Sequence, residues 1–209
     1  MKVTKLRSAE QRRRELLDAA EELIADQGIH QVKLRDIAGK AGMTPNAALY
    51  YFETLEAIFE DVLARSLTRY CDDRQLIADG AEPPAVKLRK LISAGLPGGP
   101  EDRLGRLIYE MGSFARTDAA SAARYITLFE RQVAIYMGVL EAGAARGDFR
   151  LGGPAREIAR SLVVMEDGLG LALTNKVQTL RKEEAVALLE TYAGTMTGLS
   201  LREENENDA

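Results

Sequence analysis

The residues with the clearest chemical potential lie in one short stretch, Leu34 to Phe52, which reads LRDIAGKAGMTPNAALYYF. The amide of Asn46 can form two hydrogen bonds to the edge of an adenine, which discriminates against other bases by about 1 to 3 kcal/mol. Pro45 and Ala47 are small apolar side chains that can contact a thymine methyl group. Because these residues open a predicted helix, we expect them to enter a DNA major groove.

The spacing around these residues is typical of a helix-turn-helix. Such a motif needs a small residue where the helices cross and a glycine in the turn four positions later, which Ala38 and Gly42 supply. Thr44 can cap the next helix and Pro45 suits its first position, so a recognition helix is predicted to begin at Pro45. Five further residues are suited to lock the two helices together: Ile37, Ala41, Met43, Ala48 and Tyr51.

Other side chains of this stretch are suited to the DNA backbone. Lys33 and Arg35 open the preceding helix, where their charges can meet phosphates. Tyr50 and Tyr51 follow the base-reading residues and are expected to face the backbone. The alternative is an ordinary pair of packed helices in which both tyrosines are core or surface aromatics.

The charge distribution favours DNA more than the net charge of −4 does. Phosphate binding is driven by lysine and arginine, which release counterions from the nucleic acid. An N-terminal arm places six basic residues against Glu10 alone: Lys2, Lys5, Arg7, Arg12, Arg13 and Arg14.

Catalytic and cofactor chemistry has little support in this sequence. His30 is the only histidine and Cys71 the only cysteine, which excludes multi-histidine metal sites and internal disulfides. Adjacent acids such as Glu166 and Asp167 are interpreted as solvated or polar-edge residues, since general acid and base work needs carboxylates that converge across a cleft. We therefore expect no enzyme and no cofactor. No apolar run approaches the roughly 18 residues of a membrane span, so we expect a cytoplasmic protein without a membrane partner.

Helical periodicity dominates the chain, which predicts an all-α fold. A first helix is expected from a capping box at Ser8 to Gly28, and a long connecting helix from Thr54. Another helix should place Pro154 at its first helical position. A further helix is predicted to start at Glu82-Pro83-Pro84 and to end at a breaker of glycine and proline residues, 95–100, and another follows it to about Arg116. Two more predicted helices run from about Asp118 to Arg146 and from about Arg181 to Arg202.

The first 65 or so residues resemble the TetR family of bacterial regulators. The resemblance lies in Asp36-Ile37-Ala38, Ala41-Gly42-Met43-Thr44, Leu49-Tyr50-Tyr51-Phe52 and Thr54-Leu55-Glu56. It implies a nine-helix fold, with a three-helix DNA-binding domain at residues 1–53 and a larger effector-binding and dimerisation domain at 54–209.

The resemblance also assigns roles to single residues. Thr44 fills the position of a family serine, and Tyr51 that of a histidine or tyrosine that contacts a phosphate. Two positions depart from the family pattern: Leu55 replaces a phosphate-binding lysine, and Leu49 replaces a frequent tyrosine.

The C-terminal part is similar to the BetI-like subset of this family, through Gly147-Asp148-Phe149 and Glu166-Asp167-Gly168-Leu169. That similarity implies a homodimer formed by the last two helices. Aromatic and methionine residues of the middle helices are candidates for a partly apolar effector pocket, with Asp167 or Glu166 as a polar partner. These candidates are Tyr109, Met111, Phe114, Tyr125, Phe129, Tyr136 and Met165. The alternative is that most of them belong to the hydrophobic core.

The sequence therefore predicts a DNA-binding repressor that recognises a near-palindromic operator in double-stranded DNA and is released by a small-molecule effector. The alternative is a helical small-molecule-binding protein of the same fold with weak or no DNA binding, which Leu49 and Leu55 motivate.

Overall fold

The computed structural model describes residues 2–112 and 119–199, and within these ranges the chain forms α-helices and turns but no strand. The all-α prediction is confirmed. The described helices are α1 (Lys2–Gln27), α2 (Leu34–Lys40), α3 (Pro45–Leu49), α4 (Leu55–Asp79), α5 (Pro84–Gly95), α6 (Arg103–Gly112), α7 (Ala119–Arg146), α8 (Ala155–Thr174) and α9 (Lys182–Thr197), with a 3-10 turn at Ile29–Gln31.

The helices divide into two compact units. The first takes in residues up to Thr68 and those from Arg106 to Arg124, and the second takes in Arg69–Gly105 and the residues from Tyr125 onward. The predicted domain boundary after residue 53 follows a sequence motif rather than this division, and it stays a prediction. No helix of the described ranges combines the length and the apolar character that crossing a bilayer requires.

The core of the first unit forms around α1. Leu16, Ala20 and Ile24 repeat at helical spacing and are buried, as are Ile37 and Ala38 of α2. The helix begins earlier than predicted, at Lys2 rather than at Ser8. No proline or glycine lies between these residues, so no helix breaker stops the helix from extending towards the N-terminus.

Two other helix ends differ from the sequence prediction. Pro154 is the N-cap of α8 rather than its first helical residue, because its ψ of 131° is extended. Helix α9 ends at Thr197 rather than near Arg202, because Gly198 adopts a left-handed conformation with φ of 73°. The amide of Leu199 then donates to the carbonyl of Gly194 at 3.1 Å.

The second unit has its own apolar core, which α5, α7, α8 and α9 supply. Its longest helix, α7, ends at Arg146, and the next residue, Gly147, has a left-handed φ of 79°. The chain then turns back so that the buried ring of Phe149 covers Gly143, where a Cβ atom would lie 2.2 Å from the ring. The Gly-Asp-Phe segment is thus a helix stop followed by an apolar lock.

Candidate functional site

The turn between α2 and α3 has the geometry of a Schellman helix stop. Gly42 has a φ of +67°, a region that disfavours L side chains. Its amide donates to the carbonyl of Gly39 at 3.1 Å, and the amide of Met43 donates to that of Ala38 at 2.8 Å. This turn sets the direction in which α3 leaves α2.

Helix α3 starts as predicted. The hydroxyl of Thr44 accepts a hydrogen bond from the amide of Ala47 at 3.2 Å, and Pro45 occupies the first turn. Ala48 is fully buried and anchors the helix, while Asn46 is exposed on its first turn. The helix therefore presents its polar tip to solvent.

The predicted DNA contacts are accessible to solvent or half-buried. Tyr50 is 83% exposed, and its ring lies edge-on to that of Tyr51 with 5.2 Å between the ring centres. Tyr50 is therefore not a core residue. The predicted contacts are exposed at Lys33, Arg35, Thr44, Pro45, Asn46 and Tyr50, and half-buried at Ala47 and Tyr51.

The basic side chains at the start of α2 are exposed. Lys33 is the N-cap residue of α2, and its side chain makes no capping hydrogen bond. The side chain of Arg35 is 72% exposed and contacts only the neighbouring Asp36 among the described residues, with 3.3 Å between Nε and the carboxylate. Exposed pairs of this kind are weak, so both cations remain available to phosphate.

The two positions that depart from the family pattern lie on either side of the turn between α3 and α4. Leu49 is 42% exposed at the end of α3. Leu55 is half-buried as the first residue of α4, which Thr54 caps by accepting a hydrogen bond from the amide of Ala57 at 3.1 Å. The capping function of this segment is thus present although Leu55 carries no charge.

Arg13 has a positioning role that the sequence analysis did not identify. Its guanidinium donates to the carbonyl of Tyr51 at 3.0 Å and pairs with the carboxylate of Asp61. The guanidinium carbon also lies 4.2 Å from the ring centre of Phe52. Arg13 thus fastens the C-terminal end of α3 to α1 and α4. Its neighbour Arg12 pairs with Glu15 of its own helix at 2.9 Å.

The predicted effector residues are divided between the two units, and some of them lie outside the described residues. The hydroxyl of Tyr125 donates to Asp167 at 3.3 Å, and burial raises the pKa of the Asp167 carboxyl above its usual value. Phe129 and Met165 are half-buried in the same unit. The half-buried Tyr109 belongs to the first unit. Phe114 and the side chain of Met111 lie outside the described residues.

The second unit also contains a buried polar cluster that sequence reasoning missed. The interpretation of Glu166 as a solvated or polar-edge residue is wrong, because Glu166 is 1% exposed. The guanidinium of Arg74 donates to both oxygens of Glu166, at 3.3 and 3.1 Å, and to the carbonyl of Leu91 at 3.1 Å. The hydroxyl of Tyr136 donates to Glu166, and that of Tyr70 accepts from Arg74 at 3.2 Å.

The cluster is an ion pair whose members respond to burial in different ways. Burial raises the pKa of Glu166 to about 7, although Arg74 and Tyr136 lower it. Burial lowers the pKa of the Arg74 guanidinium, but Glu166 and the two tyrosines raise it by more, so Arg74 stays charged. Burial also raises the pKa of the Tyr136 hydroxyl well above its ordinary value, which keeps this group a neutral donor.

The sequence contained one indication of this cluster. The apolar stripe of α4 passes through Leu67 and Cys71 and reaches Arg74 after about one more turn. A long charged side chain on an apolar stripe needs a buried partner, since an unpaired buried charge is strongly unfavourable. The position of Glu166 in the interior could not be read in the same way, because Asp167 beside it gave the pair the appearance of a polar edge.

Two family models match the chain. Residues 16–62 match the model described as bacterial regulatory proteins of the tetR family. Residues 84–198, more than half of the chain, match the model described as the C-terminal domain of BetI-type transcriptional repressors.

Individual relatives agree with these models. The chain is 30% identical over 139 residues to the HTH-type transcriptional repressor KstR2 of Mycolicibacterium smegmatis, covering 66% of this chain and 68% of that protein. It is 28% identical over 189 residues to the HTH-type transcriptional regulator BetI of Rhizobium meliloti, covering 87% of each.

Solved structures share the fold. A transcriptional regulator from Saccharomonospora viridis in complex with choline has a TM-score of 0.80 at 22% identity, covering 88% of this chain and 95% of that one. A TetR regulator from Haloarcula marismortui has a TM-score of 0.77 at 23% identity, covering 90% and 99%.

Proposed function

This chain belongs to the TetR family of transcriptional repressors, and we propose that it acts as a homodimer that binds a near-palindromic operator and leaves it when a partly apolar small molecule binds. Its helix-turn-helix is the DNA-binding element. Its relatives are regulators, and we propose the same non-catalytic role on DNA in the bacterial cytoplasm for this chain.

The observation that carries this proposal is the exposed first turn of α3. Asn46 faces solvent there while Ala48 holds the helix against the first unit. In this proposal Asn46 reads adenine, and Pro45 and Ala47 contact thymine methyl groups. Thr44 lies beside them as the N-cap residue.

A second set of side chains carries the affinity in this proposal. In it, Lys33 and Arg35 at the start of α2 and Tyr50 and Tyr51 after α3 contact the DNA backbone. These contacts set the register of the protein on the duplex and depend on salt, since each neutralised phosphate releases counterions.

Exposed apolar residues of α8 and α9 support the dimer. Val164 is 58% exposed, Leu171 45% and Leu188 50%, although the helices that carry them bury their other faces in the core. A two-fold interface uses one patch twice, so a small self-complementary surface can pair two copies. The two heads would then lie about 34 Å apart, or a multiple of that, to enter successive major grooves on one side of the duplex.

Release requires only a modest coupling between effector and DNA. A coupling free energy of about 1 to 3 kcal/mol changes DNA affinity by roughly 5- to 150-fold. We propose that the effector contacts Tyr125, Phe129, Met165 and Asp167 of the second unit. Tyr125 and Asp167 already form a hydrogen bond, which gives this region a polar group beside apolar ones.

Fluorescence anisotropy against the DNA that flanks the chain's own gene tests this function. We expect submicromolar binding that is selective over a scrambled duplex and that weakens at the higher of two salt concentrations. Dimerisation is measured in parallel by analytical ultracentrifugation of wild type and Leu171→Glu. Absence of selective DNA binding together with tight binding of a small molecule would instead favour a ligand-binding protein that does not regulate transcription. A wild-type chain that stays monomeric at working concentration would contradict the two-headed operator.

A further inference from the structure

The buried cluster of the second unit has the form of a cation-binding cage. The guanidinium carbon of Arg74 lies 5.3 Å from the ring centre of Tyr70 and 5.1 Å from that of Tyr136. The carboxylate of Glu166 faces the same guanidinium. Aromatic faces combined with a carboxylate are the groups that proteins use to bind organic cations such as alkylammonium ions. Here the cation in the cage is a side chain of the chain itself.

The cage fits this internal cation closely. The side chains of Arg74 and Glu166 are 1% and 2% exposed. Gly95 closes the cage with bare backbone, since a Cβ atom there would lie 1.8 Å from the Glu166 carboxylate and 2.5 Å from the Arg74 guanidinium. The carbonyl of Gly95 accepts a hydrogen bond from Tyr70 at 3.3 Å. A second cation would meet both a filled volume and a like charge.

The cluster's hydrogen bonding points in the same direction. Both oxygens of Glu166 already accept from Arg74, and Tyr136 donates to one of them. The buried Nε of Arg74 has no hydrogen-bond partner among the described residues. The cluster therefore has an unpaired N–H donor on Arg74, whereas the Glu166 carboxylate that a bound cation would need is already hydrogen-bonded.

We propose that Arg74 determines the specificity of the effector domain by occupying an aromatic and carboxylate cage, which closes the domain to compact alkylammonium cations. The inference rests on the proposed effector-binding role of this domain. Removing the guanidinium should turn the cage into a binding site for such cations, because Tyr70, Tyr136 and Glu166 remain.

Thermal unfolding and calorimetric titration with tetramethylammonium chloride test this proposal, at a pH well above the raised pKa of Glu166 so that its carboxyl is ionised without Arg74. The proteins are wild type, Arg74→Ala, the double variant Arg74→Ala with Glu166→Gln, and the control Arg131→Ala, which removes an exposed arginine paired with Asp72. Sodium chloride at equal ionic strength corrects for screening. Arg74→Ala should lower the Tm by about 10 °C, because Glu166 loses its buried partner.

Tetramethylammonium should then restore part of the lost Tm in Arg74→Ala only. About 10 mM tetramethylammonium should raise the Tm of Arg74→Ala by about 3 to 5 °C beyond the salt control, as expected for millimolar binding. Wild type, Arg131→Ala and the double variant should show no such gain. An equal gain in wild type, or none in a folded Arg74→Ala, would overturn the proposal.

A measurement on wild type keeps the proposal testable if Arg74→Ala does not fold. Calorimetric titration of wild type with tetramethylammonium should give no saturable heat. Saturable binding that Tyr136→Leu abolishes would show that the cage admits cations beside Arg74, and would refute the inference. None of these experiments contains DNA, so their outcome is independent of whether the chain binds an operator.

Discussion

Replacing Asn46 with alanine separates base reading from general DNA affinity. Asn46 is exposed on the first turn of α3, and no hydrogen bond joins its side chain to the described part of the chain. Alanine favours helix more than asparagine does, so the free energy of unfolding should change by no more than about 0.5 kcal/mol. Any effect on DNA binding then reports the DNA contact and not a loss of folding.

The expected size of the effect follows from the symmetry of the complex. A bidentate contact to adenine contributes about 1 to 3 kcal/mol of discrimination, and a dimer makes it once in each half-site. The cognate complex of Asn46→Ala should therefore lose about 2 kcal/mol or more, which is at least about 30-fold in Kd. Binding to random duplex should stay unchanged, because phosphate contacts carry it.

Anisotropy titrations on cognate and scrambled duplexes, each at several salt concentrations, measure both quantities. Arg35→Ala is the matched control, since Arg35 is also exposed but is assigned to a phosphate. Arg35→Ala should weaken binding to both duplexes by the same factor. It should also reduce the salt dependence of DNA affinity by about one phosphate contact per half-site. Equal losses of Asn46→Ala on the two duplexes would refute the assignment of Asn46 to a base.

Three further predictions concern the fold that supports the two sites. Gly95→Ala should lower the free energy of unfolding, measured in urea, by about 3 kcal/mol or more, because the new methyl group collides with the buried carboxylate of Glu166. The control Gly39→Ala should be neutral or stabilising, because the space around its Cβ position is open. In anisotropy titrations, Arg13→Ala should weaken binding to cognate and random DNA more than Arg12→Ala does. Both variants lose one positive charge, but only Arg13→Ala removes the contacts that hold the end of α3. Equal losses of affinity in the two variants would contradict the positioning role of Arg13. The pKa of Glu166 is raised from 4.5 to about 7 in the folded state. Between pH 4.5 and pH 7 the folded state therefore keeps a proton that the unfolded state has released. The free energy of unfolding should fall as the pH rises through this range, by at most about 1.4 kcal/mol per pH unit. Urea unfolding between about pH 5 and pH 7 should show this slope in wild type but not in Glu166→Gln, and identical slopes would exclude Glu166 as its source.

Sequence reasoning worked best where the determinants of structure are local. The stop of α2 and the start of α3 depend on Gly42, Thr44 and Pro45, whose hydrogen bonds all reach residues within five positions. Backbone preference and capping act over that range, so residue types and spacing define the geometry. The start of α1 and the end of α9 differ from the prediction, although residues close in sequence also set them. A capping sequence at Ser8 does not begin a helix when the residues before it are helical too.

By itself the sequence determined the helical class, the helix-turn-helix and the polar tip of its recognition helix, because these features depend on neighbours along the chain. Only the tertiary structure decided that Arg13 holds the end of α3, across 38 residues, and that Arg74 and Glu166 meet in the core, across 92 residues. Helical periodicity shows which face of a helix is apolar, but it does not show which distant side chain covers a charge on that face. Packing in three dimensions determines the partner of a buried charge, because leaving that charge unpaired in the core is strongly unfavourable.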